Sequence, residues 1–453
     1  MFKISPKANE NYLTKIVKIS NVQPHPNADK LLMTTIDGNT VVTGTKLKVD
    51  DVVVYFPLES IISNKFLSYT NSYEAKEMNA NKEVKGFFPK TSRVRAVKLR
   101  GILSNGYIVP INVFLEWLST ETSTTVAFDN TMINKEFDYY DQTFISKKYI
   151  PIAQAKAERA ERQKSQRNIP KATRLVDNQF RLHSSTQQLG RNLFKIDPNS
   201  LISITAKLHG SAHTSSVVLT KKQLKWYEKL LVKLGIDINT TKYDNIYSSR
   251  NVVKNRYYND KPISDGYYGT DIWGVVNKEL KDFLQPTMTI YGEIVGYIDQ
   301  HKMVQKDYDY GCNIGEHDFY AYRITTTTPQ GNVVEWSAKQ VQQYCKAKGL
   351  KAVPELYYGT AQDLYPISPN QTLEEWQNEF LIYLKEQYLE KDDPLCKNKV
   401  PDEGIVLRVD QLDLEVYKLK SERFKEHETK QLDKGITNIE DEDQQLEEEV
   451  TND

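Results

Sequence analysis

Short apolar runs that alternate with polar residues dominate the first part of the chain, residues 1–150. The segment "NADKLLMTTIDGNTVVTGTKLKVDDVVVYFPLES" is broken by the turn-forming sequences "DGN", "TGT" and "VDD". The segment "GFFPKTSRVRAVKLRGILSNGYIVPI" continues this pattern, with a turn at Ser104-Asn105-Gly106. Alternation with a period of two is typical of half-buried strands. Several short strands at this spacing predict a small all-β barrel over residues 1–150.

Basic and apolar residues alternate within the second of these segments, at Arg93-Val94-Arg95 and at Lys98-Leu99-Arg100. The phase of the alternation changes at Ala96-Val97, as it does at a β-bulge. Two interpretations are open. Such a basic strand face suits a nucleic-acid backbone, and it is also typical of a strand edge that charges protect against pairing.

Residues 151–172 contain "AQAKAERAERQKSQRNIPK", which has strong helix formers and no apolar face. This composition predicts a basic, solvated helical linker that ends near Pro170. Contact of its basic residues with a phosphate chain is the alternative.

Residues 173–425 show helical and strand periodicities side by side, which predicts an α+β domain. No period of roughly 20 to 50 residues recurs, so a repeat array is excluded. Helices are predicted at "KKQLKWYEKLLVKLG", "DIWGVVNKELKDFL", "SAKQVQQYCKAKG" and "TLEEWQNEFLIYLKEQYLEK". Strands are predicted at "LISITAKL", "HTSSVVLT", "TMTIYGEIVGY", "DFYAYRIT", "EGIVLRV" and "LEVYKLK".

The composition indicates a soluble intracellular protein. Of the 453 residues, 39% are hydrophobic and 26% are charged. The chain has no apolar run long enough to span a membrane, and its first residues, "MFKISPKANENY", lack the apolar core of a signal peptide. Cys312, Cys345 and Cys396 form no close pair and no zinc spacing, so reduced thiols are expected. We therefore expect a cytoplasmic location and no membrane partner.

The formal net charge of zero hides an uneven distribution. The sequence from Glu440 onward, "EDEDQQLEEEVTND", holds eight acidic residues and no basic one, which leaves 60 basic against 52 acidic residues elsewhere, a net charge of +8. Residues 426–453 are predicted to be an acidic, disordered tail. A basic body suits a polyanionic partner, whereas a tail that only increases solubility is the other interpretation.

Polar residues that are candidates for catalysis or ligand binding stand at or near the ends of several predicted strands. Lys207 ends the apolar run "LISITA" and precedes Gly210, so its amine is expected to be partly desolvated. Lys418 and Lys420 alternate on one strand and therefore point to the same side. The remaining members of this set, in chain order, are Arg250 in "IYSSRNVVKN", Glu293 in "TIYGEIVG", Tyr322 in "FYAYRI" and Glu403 in "EGIVLRV".

The order of these residues resembles that of the covalent nucleotidyltransferases, which include RNA ligases, DNA ligases and mRNA capping enzymes. The signature Lys-x-(Asp/His)-Gly matches Lys207-Leu208-His209-Gly210, and the Glu-Gly and Lys-x-Lys motifs match Glu403-Gly404 and Lys418-Leu419-Lys420. The form "KLHGS" is similar to that of the phage RNA ligase 2-type family. The segments "TRLVDNQFRLHSSTQQLGRNL" and "RAVKLRGILSNGYIVPI" resemble the Deinococcus-type RNA ligases, which carry an OB-fold module before the ligase domain.

The resemblance implies an α+β fold, in which an OB-type barrel precedes a nucleotidyltransferase (ATP-grasp-like ligase) domain of antiparallel sheets with helices. It also implies an ATP-dependent enzyme that uses Mg²⁺, for which Mn²⁺ can substitute. Lys207 would attack ATP and form lysyl-AMP, AMP would pass to the 5′-phosphate of RNA, and a 3′-hydroxyl would then displace AMP.

The resemblance also assigns roles to single residues. Glu403 would hold the metal through its waters, and Glu293 would accept a ribose hydroxyl or a metal-bound water. Arg250 would contact the ribose or a phosphate, and Tyr322 would stack on adenine. Lys418 and Lys420 would bind the α-phosphate. His209 would orient a metal-bound water or the leaving group, or bond only the local backbone.

The chemistry explains why these residue types are needed. A free lysine is almost entirely protonated at neutral pH, so burial and nearby positive charge must favour its neutral form. Lys418, Lys420 and the metal are expected to supply that charge and to stabilise the phosphate oxygens during transfer.

Two positions depart from the family pattern. Ala206 stands where many relatives have a glutamate, and Tyr322-Arg323 stands where Phe-Asp is common. Both departures concern the surroundings of the adenine base, for which Phe319 is an alternative stacking partner.

The sequence after Lys420 discriminates among the relatives. DNA ligases and capping enzymes carry an OB domain after the Lys-x-Lys motif, whereas the stretch from Lys420 to Asp453 is too short for such a barrel and rich in charge. This topology favours the Deinococcus-type RNA ligases, which implies the sealing of 3′-hydroxyl/5′-phosphate breaks, with nicked duplexes as substrates, and is compatible with a phage or viral origin.

Two alternatives to an RNA ligase stay open. One is a GTP-using capping-type guanylyltransferase, and the other is a non-catalytic RNA-binding protein with a relic ligase domain. A mobile loop over the site is a further expectation for residues 257–269.

Overall fold

The computed structural model describes residues 1–6, 8–150, 173–258 and 268–435. The predicted linker at 151–172, most of the predicted loop at 257–269 and the acidic sequence after residue 435 lie outside the described residues. The chain divides into two compact units. Unit 1 comprises Met1–Ile150, Gln187–Leu193 and Lys425–Asp433, and unit 2 contains the remainder, including Phe194–Phe424.

Unit 1 is built around the strand "VVVYFP". Its five residues from Val53 to Pro57 are all buried. This strand lies inside a four-stranded sheet in the order β10-β6-β2-β11, and a three-stranded sheet has the order β3-β4-β5. The strands of unit 1 are β1 Phe2–Lys3, β2 Thr14–Lys18, β3 Gln23–Pro24, β4 Leu31–Ile36, β5 Asn39–Gly44, β6 Val52–Pro57, β7 Ser60–Ile62, β8 Val97–Leu99, β9 Ile102–Ser104, β10 Gly106–Pro110, β11 Glu136–Phe137, β12 Tyr139–Tyr140, β13 Thr143–Phe144, β14 Ser146–Lys148 and β15 Gln187–Gln188.

Two helices interrupt the strand pattern that was predicted for residues 1–150. They are α1 (Asn64–Tyr69) and α2 (Ile111–Thr122). Helix α2 buries Phe114, Leu115, Trp117 and Leu118, whose spacing places them on one helical face. The short 3₁₀ helices between the strands are Glu10–Tyr12, Lys76–Met78, Asn130–Met132 and Leu193–Lys195.

The basic segment of unit 1 does not form a single exposed face. Arg93 is 2% exposed and pairs with Glu59 at 3.2 Å. Strands β8 and β9 form a hairpin whose turn is at Arg100-Gly101, where both residues have positive φ angles of 46° and 98°. The predicted bulge at Ala96-Val97 is therefore the point where β8 begins, and Arg93 lies on the interior side of unit 1.

The C-terminal helix supplies the partners of Arg93. Helix α8 (Glu422–Asp433) continues past the predicted start of the acidic tail at residue 426. Within unit 1, the Arg93 guanidinium donates to the Thr429 carbonyl at 3.4 Å and to the Asp433 carboxylate, and the Thr429 hydroxyl donates to Glu59 at 3.0 Å. Residues 425–433 are therefore part of the fold of unit 1.

Unit 2 contains two antiparallel sheets, as the α+β prediction requires. One contains β24-β23-β16-β22 in this order, and the other has the order β18-β17-β19-β20-β21. The strands are β16 Leu201–Ala206, β17 Ser211–Lys221, β18 Thr241–Ser248, β19 Met288–Gly296, β20 His317–Thr327, β21 Val333–Glu335, β22 Glu355–Thr360, β23 Gly404–Val409 and β24 Glu415–Lys420. The sequence pattern predicted six of these strands but not β18, β21 and β22.

The four predicted helices of unit 2 are confirmed, with shorter bounds. They are α3 Trp226–Lys233, α4 Ile272–Glu279, α5 Ala338–Lys348 and α7 Leu373–Tyr388. Helices α5 and α7 begin with capping boxes at Ser337 and Thr372, whose hydroxyls accept hydrogen bonds from the first turn. The short helix α6 Ala361–Leu364 and the 3₁₀ helix Leu280–Phe283 complete the set.

Residues 207–210 connect the two sheets, because β16 ends at Ala206 and β17 begins at Ser211. The predicted nucleophile Lys207 therefore lies where the chain passes from one sheet to the other. A buried cluster that includes Leu208, Val295 and Tyr308 packs behind this turn. Among the described residues, no helix is long and apolar enough to cross a membrane.

A buried histidine makes the stability of unit 2 sensitive to acid. His213 is 1% exposed, and burial lowers its pKa to about 3. Below about pH 6.5 the unfolded chain therefore binds a proton at His213 that the folded chain does not bind. The free energy of unfolding decreases as the pH is lowered, and this residue contributes a loss of about 2 kcal/mol at pH 5.

We expect the His213→Gln variant to lose less stability than the wild type between pH 7 and about pH 5. Urea unfolding at both pH values measures this difference. The exposed His301 supplies the control His301→Gln, which should follow the wild type. An equal loss in His213→Gln and the wild type would show that another group controls the acid sensitivity.

Candidate active site

Backbone pairing fixes the position of Lys207. Strand β16 pairs with β23 so that Ala206 lies opposite Ile405. One residue further on, the Lys207 amide donates to the Gly404 carbonyl at 2.9 Å. The Lys207 side chain is 12% exposed. The ladder thus brings the Lys-x-His-Gly and Glu-Gly motifs together, although they are far apart in the sequence.

A buried carboxylate lies between two lysine amines. The Glu403 side chain is 1% exposed, and its Oε1 atom lies 2.9 Å from Lys207 Nζ and 3.4 Å from Lys420 Nζ. Strand β24 pairs with β23 so that Lys420 lies opposite Gly404 and Lys418 opposite Val406. Lys418 therefore occupies the same face of the sheet as Lys420, one step along the strand.

Two glycines make this close approach possible. A Cβ atom on Gly210 would lie 2.4 Å from the Ile294 carbonyl oxygen and 2.6 Å from Cγ of Glu293. At Gly404 φ is +137°, and a Cβ atom would lie 2.1 Å from the Leu419 carbonyl oxygen. Neither position has room for a larger residue. The contact at Gly210 also shows that Glu293 lies directly beside the turn that carries Lys207.

His209 faces the same carboxylate as Lys207. Its Nδ1 atom is 3.7 Å from Oε2 of Glu403. The imidazole ring packs edge to face against Tyr308 and Phe424, with both centroid distances at 4.9 Å. The aromatic neighbours hold the ring in one orientation, so the structure places His209 in the wall of the site.

Strand β20 separates the two aromatic candidates. Glu293 lies opposite Tyr320 in the β19–β20 ladder, so Glu293, Tyr320 and Tyr322 share one face. Tyr322 makes an edge contact with His183 at 5.6 Å between ring centroids. Phe319 points to the other face, where it is 8% exposed within a separate hydrophobic cluster. The geometry favours Tyr322 over Phe319 as the aromatic residue of the site.

Arg250 lies at the same end of its sheet as the Lys207 turn. It follows Ser248, which pairs with Thr214 near the start of β17. Strand β17 begins directly after Gly210. The structure thus brings Lys207, His209, Glu403 and Lys420 into direct proximity, sets Glu293 and Lys418 next to them, and leaves Arg250 and Tyr322 on adjoining elements.

Comparison with known proteins identifies the domain that contains this cluster. Residues 201–425 match the model of the RNA ligase family, and residues 13–111 match that of an OB-fold domain. Over residues 201–425 the chain belongs to the RNA ligase family. It is therefore an enzyme that joins RNA, and its N-terminal unit carries the predicted OB-type module.

Solved structures of RNA ligases share the fold. The Naegleria gruberi RNA ligase with PPi is 18% identical, has a TM-score of 0.54, and matches over 93% of this chain and 100% of its own. A mutant of the same ligase in its apo form is 17% identical, with a TM-score of 0.54 over 93% and 99% of the two chains. Another mutant, with ATP and Mn, is 16% identical, with a TM-score of 0.53 over 92% and 99%. No curated protein sequence matches the chain significantly.

The ligase domain accounts for one departure from the family pattern. Arg323 follows Tyr322, at the position where Asp is common, and lies opposite Tyr291 in the β19–β20 ladder, next to a register shift. It forms an ion pair with Glu335 and lies 4.4 Å from the ring centroid of Tyr291. Tyr291 and Glu293 alternate on β19 and share one face, so Tyr291 and Glu335 hold Arg323 on that face.

The environment of Lys207 contains a carboxylate as well as a lysine amine. The Glu403 carboxylate lies 2.9 Å from Lys207 Nζ, and a carboxylate favours the ammonium form of an amine. Lys420 is held on the same carboxylate oxygen. In this state of the ligase, the predicted nucleophile is held in an ion pair. Lys207 can lose its proton more readily when another positive group neutralises the Glu403 carboxylate.

Several buried polar residues around this cluster were not predicted from the sequence. Burial raises the pKa of Asp402 to about 7, and its Oδ1 atom accepts a hydrogen bond from the Gly404 amide at 3.1 Å. Gln305 Nε2 donates to the Gly210 carbonyl at 2.7 Å. Asp402 stands directly before the Glu-Gly motif, which is the only sequence signal for its place. Gln305 lies in a segment without periodic pattern, so nothing in the sequence pointed to it.

Proposed function

We propose that the enzyme is an ATP-dependent RNA ligase that seals 3′-hydroxyl/5′-phosphate nicks in duplexes through lysyl-AMP and adenylylated RNA. The observation that carries this proposal is the cluster of Lys207, Glu403 and Lys420 at the junction of two sheets in an RNA ligase domain. Solved relatives of this fold were studied with ATP and Mn, with AMP and Mn, and with PPi, which supports ATP as the donor.

In the first step, Lys207 Nζ attacks the α-phosphorus of ATP. A P–N bond forms, the bond to the bridging oxygen breaks, and pyrophosphate leaves. The amine must be neutral when it attacks, so its proton leaves the ion pair with Glu403 beforehand. Lys420 and Lys418, which share a face of the sheet, then stabilise the charge on the α-phosphate oxygens.

The two glutamates fit a divalent cation. Glu403 and Glu293 are 1% and 7% exposed, and both border the Lys207 turn. Among the described residues, no group of three His, Cys, Asp or Glu side chains could hold a metal ion by itself. The two carboxylates of Glu403 and Glu293 suit Mg²⁺ or Mn²⁺, because Mg²⁺ binds through one or two carboxylates and keeps several waters. When bound, the cation would neutralise Glu403 and favour the uncharged form of Lys207.

The neighbouring elements provide a binding site for the nucleoside. Tyr322 stacks on adenine, Glu293 accepts a hydrogen bond from a ribose hydroxyl, and Arg250 contacts the ribose or a phosphate. The arrangement of β19 and β20 supports these roles, because Glu293 and Tyr322 share a face.

The second and third steps transfer AMP and join the strands. The RNA 5′-phosphate attacks lysyl-AMP and frees Lys207, and the 3′-hydroxyl then attacks the activated phosphate and releases AMP. A duplex that holds both ends of a nick side by side supplies the orientation that this attack needs. The OB-fold match over residues 13–111 supports a second RNA-binding surface on the protein.

A sealing assay with matched substrates tests the proposal. We expect ATP and Mg²⁺ to support the sealing of a nicked RNA duplex, and to support much slower joining of the same strands without their complement. GTP should not replace ATP. Labelling of the protein by GTP only, without sealing, would favour a capping-type guanylyltransferase. Absence of any protein–nucleotide adduct with either nucleotide and Mg²⁺ or Mn²⁺ would favour a non-catalytic RNA-binding role.

Binding of the nicked duplex should depend on salt. The sequence before Glu440 carries a net charge of +8, and each phosphate that a lysine or arginine neutralises releases counterions. We expect the logarithm of the binding constant to fall linearly with the logarithm of the salt concentration, which fluorescence anisotropy with a labelled nick measures. Binding that does not change with salt would exclude a phosphate-contacting surface.

A further inference from the structure

The turn that carries Lys207 is anchored by a buried tyrosine. The backbone amide of His209 donates to the hydroxyl oxygen of Tyr310 at 2.5 Å. Tyr310 is 3% exposed, and His209 is 9% exposed. Because water is excluded here, the tyrosine hydroxyl is the group that satisfies this amide. The contact is made two residues after the nucleophile, at the centre of the Lys-x-His-Gly motif.

The backbone at Tyr310 is strained into this position. Its φ angle is 47°, in the left-handed region that a bulky residue rarely adopts, and Gly311 follows with a φ angle of 73°. The preceding residue, Asp309, holds the turn. Its carboxylate accepts hydrogen bonds from the amides of Gly311 at 2.8 Å, Lys397 at 2.9 Å and Asn398 at 2.8 Å. Strain of this kind persists only where neighbouring contacts enforce it, and it is common at functional sites.

A second buried group influences the Tyr310 hydroxyl. Asp393 is 5% exposed, and its charge acts on the phenol of Tyr310. Burial, together with the charge of Asp393, raises the pKa of Tyr310 well above its usual value. The phenol therefore keeps its proton, and its oxygen accepts the hydrogen bond from the His209 amide.

The same segment of chain also holds the other side of the turn. Gln305, five residues before Tyr310, donates to the Gly210 carbonyl at 2.7 Å. The Lys207 amide is held separately by the Gly404 carbonyl at 2.9 Å. The peptide groups from residue 207 to residue 210 are thus bound on both sides, and the Tyr310 hydroxyl is the contact nearest the middle of the turn.

We propose that Tyr310 is a positioning residue for the attack of Lys207 on ATP, because its hydroxyl fixes the backbone from which the nucleophile projects. This inference rests on the proposed function. Tyr310 lies behind the turn and does not itself contact the reacting atoms. Tyr310 should therefore affect the formation of lysyl-AMP, for which Lys207 must be aligned. It should have less influence on the sealing of RNA whose 5′-phosphate is already adenylylated.

The Tyr310→Phe variant separates these steps. We expect the single-turnover rate of lysyl-AMP formation to fall roughly tenfold, since a buried amide left without an acceptor costs on the order of one factor of ten. The KM for ATP should change less than twofold. Sealing of a nicked duplex whose 5′-phosphate is already adenylylated should keep most of its wild-type rate. The matched control is Tyr73→Phe, which removes the hydroxyl of a tyrosine that is 1% exposed in unit 1 and should leave all three quantities unchanged.

A second variant keeps the test decisive if Tyr310→Phe folds poorly. Asp393→Asn retains the phenol but removes the buried charge that acts on it, so the rate of lysyl-AMP formation should fall less than in Tyr310→Phe. The double variant should be no slower than Tyr310→Phe alone if both act through one hydroxyl.

Other outcomes would overturn the inference. Equal losses in lysyl-AMP formation and in the sealing of pre-adenylylated RNA would indicate a structural role only, as would losses that add up in the double variant. An unchanged rate of lysyl-AMP formation in Tyr310→Phe would exclude the role. Failure of the proposed function itself is recognised separately, because the wild-type enzyme would then form no lysyl-AMP.

Discussion

The Lys207→Met variant is expected to form no covalent adduct with ATP and to lose sealing of a nicked RNA with a 5′-phosphate. Methionine has a similar length but no nucleophilic amine, so the loss should exceed a thousandfold, a barrier increase of about 4 kcal/mol. The fold should survive, since the Lys207 amide keeps its bond to Gly404 and only one partner of Glu403 is lost. Intact-mass measurement after incubation with ATP and Mg²⁺ detects the adduct.

The matched control is Lys229→Met, which removes an exposed lysine on α3. This variant should form the adduct at the wild-type rate. The Lys207→Met enzyme should also retain some sealing of pre-adenylylated RNA, because that step does not require the lysine as a nucleophile. An adduct that persists in Lys207→Met would assign the nucleophile to another residue.

The Arg93→Ala variant is expected to lose about 3–5 kcal/mol of stability in unit 1, which is the usual effect of removing one partner of a buried ion pair. Glu59, which is 8% exposed, would lose the Arg93 guanidinium as an ion-pair partner. The same change removes the contacts of Arg93 with Thr429 and Asp433 and its stacking on Tyr149, whose ring centroid is 4.9 Å away. Amide hydrogen exchange of the buried strand β6 measures the stability of this unit directly.

The neighbouring arginine provides the control for this prediction. Arg95 also approaches Asp433, at 3.8 Å, but its side chain is 32% exposed. The Arg95→Ala variant should therefore lose less than about 1 kcal/mol, as is typical of surface ion pairs. Similar exchange rates in Arg93→Ala and Arg95→Ala would contradict the importance of the buried cluster.

Most of the candidate site could be predicted from the sequence because its residues stand at fixed places on strands. Lys207, Glu403, Lys418 and Lys420 lie at the ends of β16, β23 and β24 or one step from them. Antiparallel pairing then brings them together once the strand order is known. The family resemblance indicated that these residues share one site, whereas no local pattern indicates which strands pair.

The parts that the sequence did not predict depend on contacts between distant segments. Helix α2 has apolar residues in runs that suit either a strand or a helix, and the neighbouring strands biased the interpretation towards a strand. The burial of Arg93 depends on Glu59 and on helix α8, which lies much later in the chain. A basic residue in an alternating strand pattern gives no signal that such partners exist.

The same limit applies to the support around the nucleophile. Tyr310 and Asp393 stand in loops without periodicity, and their roles arise only where these loops meet the Lys207 turn. The position of the Glu403 carboxylate between Lys207 and Lys420 also depends on how distant strands pair. Local sequence spacing carries no information on how one carboxylate is shared among several amines.

The most direct test of the account is to locate the nucleotide on the wild-type protein. After incubation with ATP and Mg²⁺, proteolysis and tandem mass spectrometry should find AMP on the peptide that contains Lys207, and addition of pyrophosphate should remove it. AMP attached to a different lysine, or no attachment in a protein that still seals nicked RNA, would contradict the assignment of Lys207 as the nucleophile.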